Sequence, residues 1–346
     1  MRLEGHSTLA MSVLMRTSTL STRARLEVAQ LELSSGRHAD MGLALGQSTA
    51  SAITLRREIA ELGFLADRIN LARVKAETTQ SVLNSIISLA DSFMSTLAGA
   101  RTSDQGPALA RTAASGLLSS MQDLLNTTFD GQYLFGGLNG ATAPMQQYQG
   151  SDGKTAFDQA FLASFGFAQG DPQTSGITSL QIEAFVAGPL EALFEPVAWS
   201  ALWSSATQET PSVRLGSDLT VSASSTASAP AIATLTRALV MVTELAQDGL
   251  GQAAYQGIVD ASLSLVAGAK AQIGLEQARI GQAQSELARA LERYDRREVS
   301  LAISVGTLES VDPYEAATRV NTLMSQLEIS YTITGRLQQL NLMNYI

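Results

Sequence analysis

Eight apolar residues recur at one heptad position without a break: Val259, Val266, Ile273, Ile280, Leu287, Tyr294, Leu301 and Leu308. A stripe of seven-residue period keeps one face of a helix against a partner along its whole length. This stretch therefore predicts one long helix in a helical pair. Ala269, Ala283 and Ala290 lie beside the stripe and let a partner backbone come close. A second pattern nearer the start offers that partner. Ile59, Ala66, Arg73, Gln80, Ile87 and Met94 are spaced by seven, and Leu62, Ile69, Ala76, Leu83, Ala90 and Leu97 follow three residues on. Arg73 and Gln80 interrupt the seam as polar residues that set register do. Burying one aliphatic side chain recovers ~1.5–3 kcal/mol, whereas ordering each residue costs ~1–2 kcal/mol of backbone freedom. One stripe cannot hold one helix, so the arms are expected to pack on each other, on sister subunits, or on both.

Punctuation supports the same division. Leu26 to Ser35 is amphipathic and stops at Gly36, a plausible residue just past a helix end. Ser103 or Asp104 is a candidate cap for a helix from Pro107 to about Asn126. Asp312-Pro313-Tyr314-Glu315 restarts a helix, with Asp as cap, Pro in the first turn and Glu at the capping-box position. Val320, Leu323, Leu327, Tyr331, Leu337 and Leu340 carry its apolar face onward.

Between the arms the composition shifts. Twelve of the 19 aromatic residues lie from Phe129 to Trp203, where turn signals recur at Asp130-Gly131, Gly136-Gly137, Asn139-Gly140, Asp152-Gly153 and Gly170-Asp171-Pro172. Gln132 to Phe135 reads as a short strand, and Asp218 to Ala223 alternates in strand fashion. The stretch from Ser164 to Trp203 shows no assignable pattern. The expected fold is mainly α: a long antiparallel helical bundle or coiled coil from the two arms, with an inserted β-containing domain. The expected boundaries are 1–128 for the N-terminal arm, 129–230 for the insert and 231–346 for the C-terminal arm.

Charge and composition exclude several functions. A net charge of −9 argues against a nucleic-acid or anionic-membrane partner, because both need a cationic face. Zero Cys removes disulfides, thiolate catalysis and zinc–thiolate sites together. Only His6 and His38 supply imidazole, and His38 beside Arg37 and Asp40 reads as a solvated loop residue. Gly150-Ser-Asp-Gly153-Lys154-Thr155 ends like a phosphate-binding loop, but Tyr148 stands where that motif needs Gly, so a hairpin turn is favoured. Gly136-Gly137-Leu138-Asn139-Gly140 lacks dinucleotide spacing and reads as a loop. Glu58/Glu61 and Asp295/Glu298 have Arg neighbours and read as solvated helix faces. Asn126-Thr-Thr fits a glycosylation sequon outside any supporting context. No nucleophile–base pair, metal cluster or cofactor motif emerges, so a non-enzymatic chain without cofactor is expected. No span reaches the ~18 apolar residues of a membrane helix. The first 20 residues have no continuous apolar core of a secretory signal, while Met11 and Met15 leave the start open.

Several segments together resemble the bacterial flagellin family. Gln30-Leu-Glu-Leu-Ser-Ser-Gly-Arg37 is similar to that family's N-terminal turn and leads into a long heptad helix. Asn126 to Gly137 looks like the entry to the outer domain. Trp203 to Thr207 and Gly216 to Ala223 resemble outer-domain segments, and Glu309-Ser310 with Asp312 to Ala316 resembles the terminal helical hairpin. Tyr133-Leu-Phe-Gly-Gly137 and the ending Leu340 to Ile346 resemble the family's hook-associated branch more than its filament subunits. Departures are the His38-Ala-Asp-Met-Gly segment and the ten residues ahead of the first helix.

The resemblance implies a structural subunit, exported unfolded by the flagellar type III apparatus without a cleaved signal peptide. Its implied location is the extracellular flagellum, where it assembles into a ring. The implied partners are sister copies, a neighbouring hook-associated junction protein, flagellin and an export chaperone, with neither nucleic acid nor membrane insertion. The residues expected to carry packing and assembly are Ile59, Leu62, Ile69, Leu83, Ile87, Leu97, Val266, Ile273, Ile280, Leu287, Leu301, Leu308, Leu337, Leu340, Leu342 and Tyr345. Filament flagellin and an unrelated coiled-coil stalk are the alternatives.

Overall fold

The computed structural model describes residues 4–216 and 219–343, and the chain divides into two compact units. One unit joins the two ends, residues 1–64 and 293–346; the other holds residues 65–292. Two long helices run through both sequences: α3 (Thr49–Ala100) and α10 (Gln252–Glu309).

In the unit of the chain ends, α1 (Glu4–Ser35) packs on α11 (Pro313–Met343). Gly36 ends α1 with φ +68°, a left-handed conformation that costs glycine nothing. Asp40 caps the one-turn helix α2 (Met41–Leu45), accepting from the Leu43 amide at 3.0 Å. Asp312 caps α11, its Oδ1 accepting from the Tyr314 amide at 2.8 Å and more distantly from Glu315. That is the role its sequence neighbours predict.

In the other unit, α3 and α10 run antiparallel. Ion pairs and hydrogen bonds step down the pair as Gln80 with Gln277, Asn84 with Gln277, Asp91 with Lys270, and Arg101 with Asp260. One residue number rises while the other falls. Between Ala100 and Gly106 the chain turns back into α4 (Gly106–Leu125). Gly106 is obligatory here, since a Cβ would stand 2.0 Å from the Ala100 carbonyl oxygen. Neither Ser103 nor Asp104 caps α4; Gln105 holds the cap position without a side-chain bond. Helix α9 (Pro230–Leu245) packs on α4, and all but three of its residues are buried. An all-round apolar helix is a core helix.

The intervening region is more helical than the turn signals suggest. Asp152-Gly153, expected as a hairpin turn, instead opens α5 (Asp152–Phe165). Ser151 accepts from the Lys154 amide at 3.2 Å, and Asp152 lies in the first turn, where a negative charge suits the helix dipole. The unassigned stretch forms α6 (Ser179–Ala187), α7 (Pro189–Ala192) and α8 (Pro196–Leu202). Thr178 and Gln181 close a full capping box on α6. The strands are two residues each. β1 (Thr128–Phe129) pairs antiparallel with β2 (Gln132–Tyr133) across Asp130-Gly131, both at positive φ as a tight primed turn requires. β3 (Val213–Arg214) pairs with β4 (Thr220–Val221). The protein is thus a bundle of long packed helices with small antiparallel strand pairs.

One expectation is corrected by mean hydropathy. An 18-residue window reaches 1.2 within Met41–Ala100 and 1.3 within Gln252–Glu309, enough by length and composition to cross a membrane. Ile, Leu and Val raise the average without forming a continuous apolar run, and a third of each window is buried.

Candidate assembly surfaces

The seam of α3 and α10 is the first element. On α10, Val259, Val266, Ile273, Ile280 and Leu287 are all within 1 % of full burial, and Leu301 is 3 % exposed. On α3, Ile69, Ala76, Leu83, Ala90 and Leu97 are buried, joined by Thr79, Ile86, Phe93 and Ala100. The packed face thus extends to the residues three positions after the Ile69 series, and Ile59, Leu62 and Ile87 are half-buried on its flank, as is Leu308 on α10. Gln80, read as a register residue, donates from Nε2 to the Gln277 carbonyl at 3.0 Å. Arg73 points away toward Glu77 and is exposed. One end of this seam is tied by Arg101, whose guanidinium grips Asp260 with two bonds of 2.8 Å and holds that carboxyl below its usual range.

The second element is a clasp in the unit of the chain ends. Glu309 is 1 % exposed and takes Arg56 at 2.7 Å and Arg37 at 3.8 Å. The backbone joins as well: Val311 N–H donates to the Gly36 carbonyl at 3.0 Å and His38 N–H to the Glu309 carbonyl at 3.1 Å. Glu32, 7 % exposed, receives Arg319 from α11 at 3.0 Å, the Ala39 amide at 3.1 Å, and faces His38 Nδ1 at 3.7 Å. His38 is therefore not a free loop side chain. A buried carboxylate is tolerated when cations and amides surround it. Heptad counting misses both glutamates, because periodicity registers apolar residues only. Their signal lies in the Gly36 helix stop and the Glu309-Ser310 break, which mark the two strands of the clasp.

The third element is unburied apolar surface on the terminal helices. Along α1, Val13, Leu14, Leu20 and Leu31 are more than half exposed; on α11, Tyr314, Ile329 and Tyr331 are too. Leu337, Leu340, Leu342 and Tyr345 lie outside the described side chains. Scattered apolar residues are ordinary, but runs of them along a helix mark surfaces awaiting a partner.

In the unit of residues 65–292, a buried polar cluster joins α5 to α9. Lys154 pairs with Asp158 and reaches Glu244 at 3.4 Å; the Tyr148 ring stacks on Trp203 at 5.7 Å. Burial raises the pKa of Glu244, with Lys154 pulling the other way, and burial beside Glu244 pushes the Tyr148 hydroxyl upward. Above its raised folded pKa, Glu244 carries the cost of a buried carboxylate, and that cost disappears as pH falls through this pKa toward the ordinary value of 4.5. The wild type should therefore gain stability relative to Glu244→Gln over that interval. Thermal unfolding of both across pH 8 to 4 checks it, and parallel curves would refute the assignment. Among the described residues no group of three or more His, Asp or Glu could hold a metal ion.

The candidate surfaces are thus a buried antiparallel seam, a clasp that ties α1 and α10 to α11, and exposed apolar residues along the paired terminal helices. Residues 7–140 match the bacterial flagellin N-terminal helical region and residues 263–346 match the bacterial flagellin C-terminal helical region. The chain belongs to the bacterial flagellin family, whose domains are structural components of the exported flagellum. Its fold is similar to that of a solved protein described as a flagellar hook-associated protein from Vibrio parahaemolyticus. That likeness has a TM-score of 0.52 at 13% identity, over 76% of this chain and 97% of the other. No curated protein sequence matches the chain.

Proposed function

We propose that this chain is the adapter between the flagellar hook region and the flagellin filament. The observation that carries the reading is a fold shared with a hook-associated protein along nearly that protein's entire length, in a chain whose two ends match flagellin helical regions. The sequence Tyr133-Leu-Phe-Gly-Gly137 and the ending Leu340 to Ile346 support the same branch. On this reading sister copies form a ring between a neighbouring hook-associated junction protein and flagellin. The subunit leaves the cell unfolded, guided by an export chaperone and without a cleaved signal peptide, and acts outside the cell. It performs no catalysis. Residues 1–128 and 231–346 are its helical arms and 129–230 its outward insert. The seam residues from Ile59 to Leu97 and from Val266 to Leu308 brace the subunit, while Leu337, Leu340, Leu342 and Tyr345 join the assembly contact.

Deleting the gene tests the reading. A null strain should be non-motile and should shed flagellin monomers into the culture medium. A strain that lacks flagellin altogether would instead make this chain the filament subunit, which the family match also accommodates, and normal filaments would refute both.

A further inference from the structure

A cleft of about 650 Å³ opens in the unit of residues 65–292, between α3 and the loop that follows β2. Arg68 and Lys75 line one wall; Leu71, Tyr133, Leu138 and Val213 supply apolar surface. The loop wall is held in place, because the Leu138 amide donates to Thr207 Oγ1 at 2.7 Å and Gly137 takes φ +66° where a Cβ would strike Thr207 at 2.3 Å.

The charge pattern of the cleft is unusual for this chain. The protein carries 32 acidic residues against 23 basic ones, yet among the described residues lining the cleft none is Asp or Glu. Arg68 and Lys75 lie seven residues apart on one helix face, roughly 10 Å along the axis. Neither meets a carboxylate among the described residues. Lys75 reaches only the Gln132 side-chain oxygen at 3.5 Å and lies 5.9 Å from the Phe129 ring centre. The other two lysines each have a carboxylate, Lys154 in Asp158 and Lys270 in Asp91. A cationic, apolar cleft without internal neutralisation fits a surface that brings both acid and hydrocarbon.

We propose that this cleft is a contact between copies of the chain, filled by an acidic, apolar edge of the neighbouring copy. The net charge of −9 makes a second copy an acid-rich partner. Suitable edges are present in the same unit: Val197 is 83% exposed two residues from Glu195, and Leu180 is 75% exposed three residues from Glu183 on α6. Among the described residues neither Glu183 nor Glu195 has a cation partner. Cleft and edge are different patches, so the contact is heterologous. Such contacts propagate into rings or helices rather than closing a dimer. The proposal rests on the reading of the chain as an assembling flagellar subunit.

The absence of Cys permits a clean test. A benzophenone attached at Leu138→Cys should, in assembled appendages, give copy-to-copy adducts mapping to an acidic segment of the neighbour. Arg68→Glu combined with Lys75→Glu in that background should keep the helical circular dichroism and lower the adduct yield about tenfold, like-charge contact being strongly unfavourable. Undiminished yield in the double variant overturns the proposal, as do adducts formed with flagellin or another flagellar protein alone. Those last outcomes would leave the adapter reading standing, since it is judged by flagellin shed from the null strain.

Discussion

Ile280→Asp should unfold the long helical pair and abolish motility. Ile280 is fully buried on α10, one residue before Gly281, whose surroundings include the Gln80 side chain of α3. An aspartate there either ionises without a partner or stays protonated at the expense of its ordinary pKa. The cost is expected at about 4 kcal/mol or more, the range reached when an unpaired charge enters a core. Leu287→Asp, one heptad on and equally buried, should behave alike. Ile280→Val, which removes one methylene, should cost only ~0.5–1.5 kcal/mol. Urea unfolding of the purified variants and spreading in soft agar measure the two consequences. Wild-type stability in both aspartate variants would show that this face is not the packed one.

Trp203→Ala is expected to have the next largest effect, at ~3–5 kcal/mol. Trp203 is 3% exposed and lies against three rings: Tyr148 at 5.7 Å, Phe194 at 4.6 Å and Trp199 at 6.1 Å. Its Nε1 donates to the Leu193 carbonyl at 2.9 Å, and a Cβ on Gly153 would stand only 3.0 Å from its ring. Truncation removes the stacking surface on which α5 starts and α8 ends, and leaves the Leu193 carbonyl without its donor. Amide exchange in α5 and α8 should accelerate accordingly. Trp203→Phe keeps the ring contacts and loses the hydrogen bond, so a deficit of about 1 kcal/mol is expected. Equal losses from Phe and Ala would show that the hydrogen bond, rather than ring packing, carries the site.

The legible parts of this fold are those written in periodicity. Val266 through Leu301 report one face of one helix, and that face is buried. Ile87 was one step removed: the α3 face turns toward Ile86 and Phe93, because a straight helix of 3.6 residues per turn drifts against a strict seven-residue count. Asp312 is legible because a cap needs only its own side chain and the next turn's amides. The middle helices were not, since α6 to α8 run only four to nine residues each, too short to display a period. Asp152-Gly153 carries turn residues that serve equally at a helix start, and only Ser151 and the distant Trp203 ring decide between the two. The clasp is the least legible feature. Glu32 and Arg319 stand 287 positions apart, and no local pattern links a charge to its partner at that distance.

That separation also sets a timetable. A ribosome delivers Gly36 and Glu32 long before Glu309, Val311 and Arg319 exist, so the first helix waits through the synthesis of every residue between them without the groups that would anchor it. Closing so long a loop is entropically harder than closing a short one and comes late in folding. The nascent chain therefore keeps its first helix open by construction, and the anchor that ends this state is encoded 287 positions downstream of Glu32.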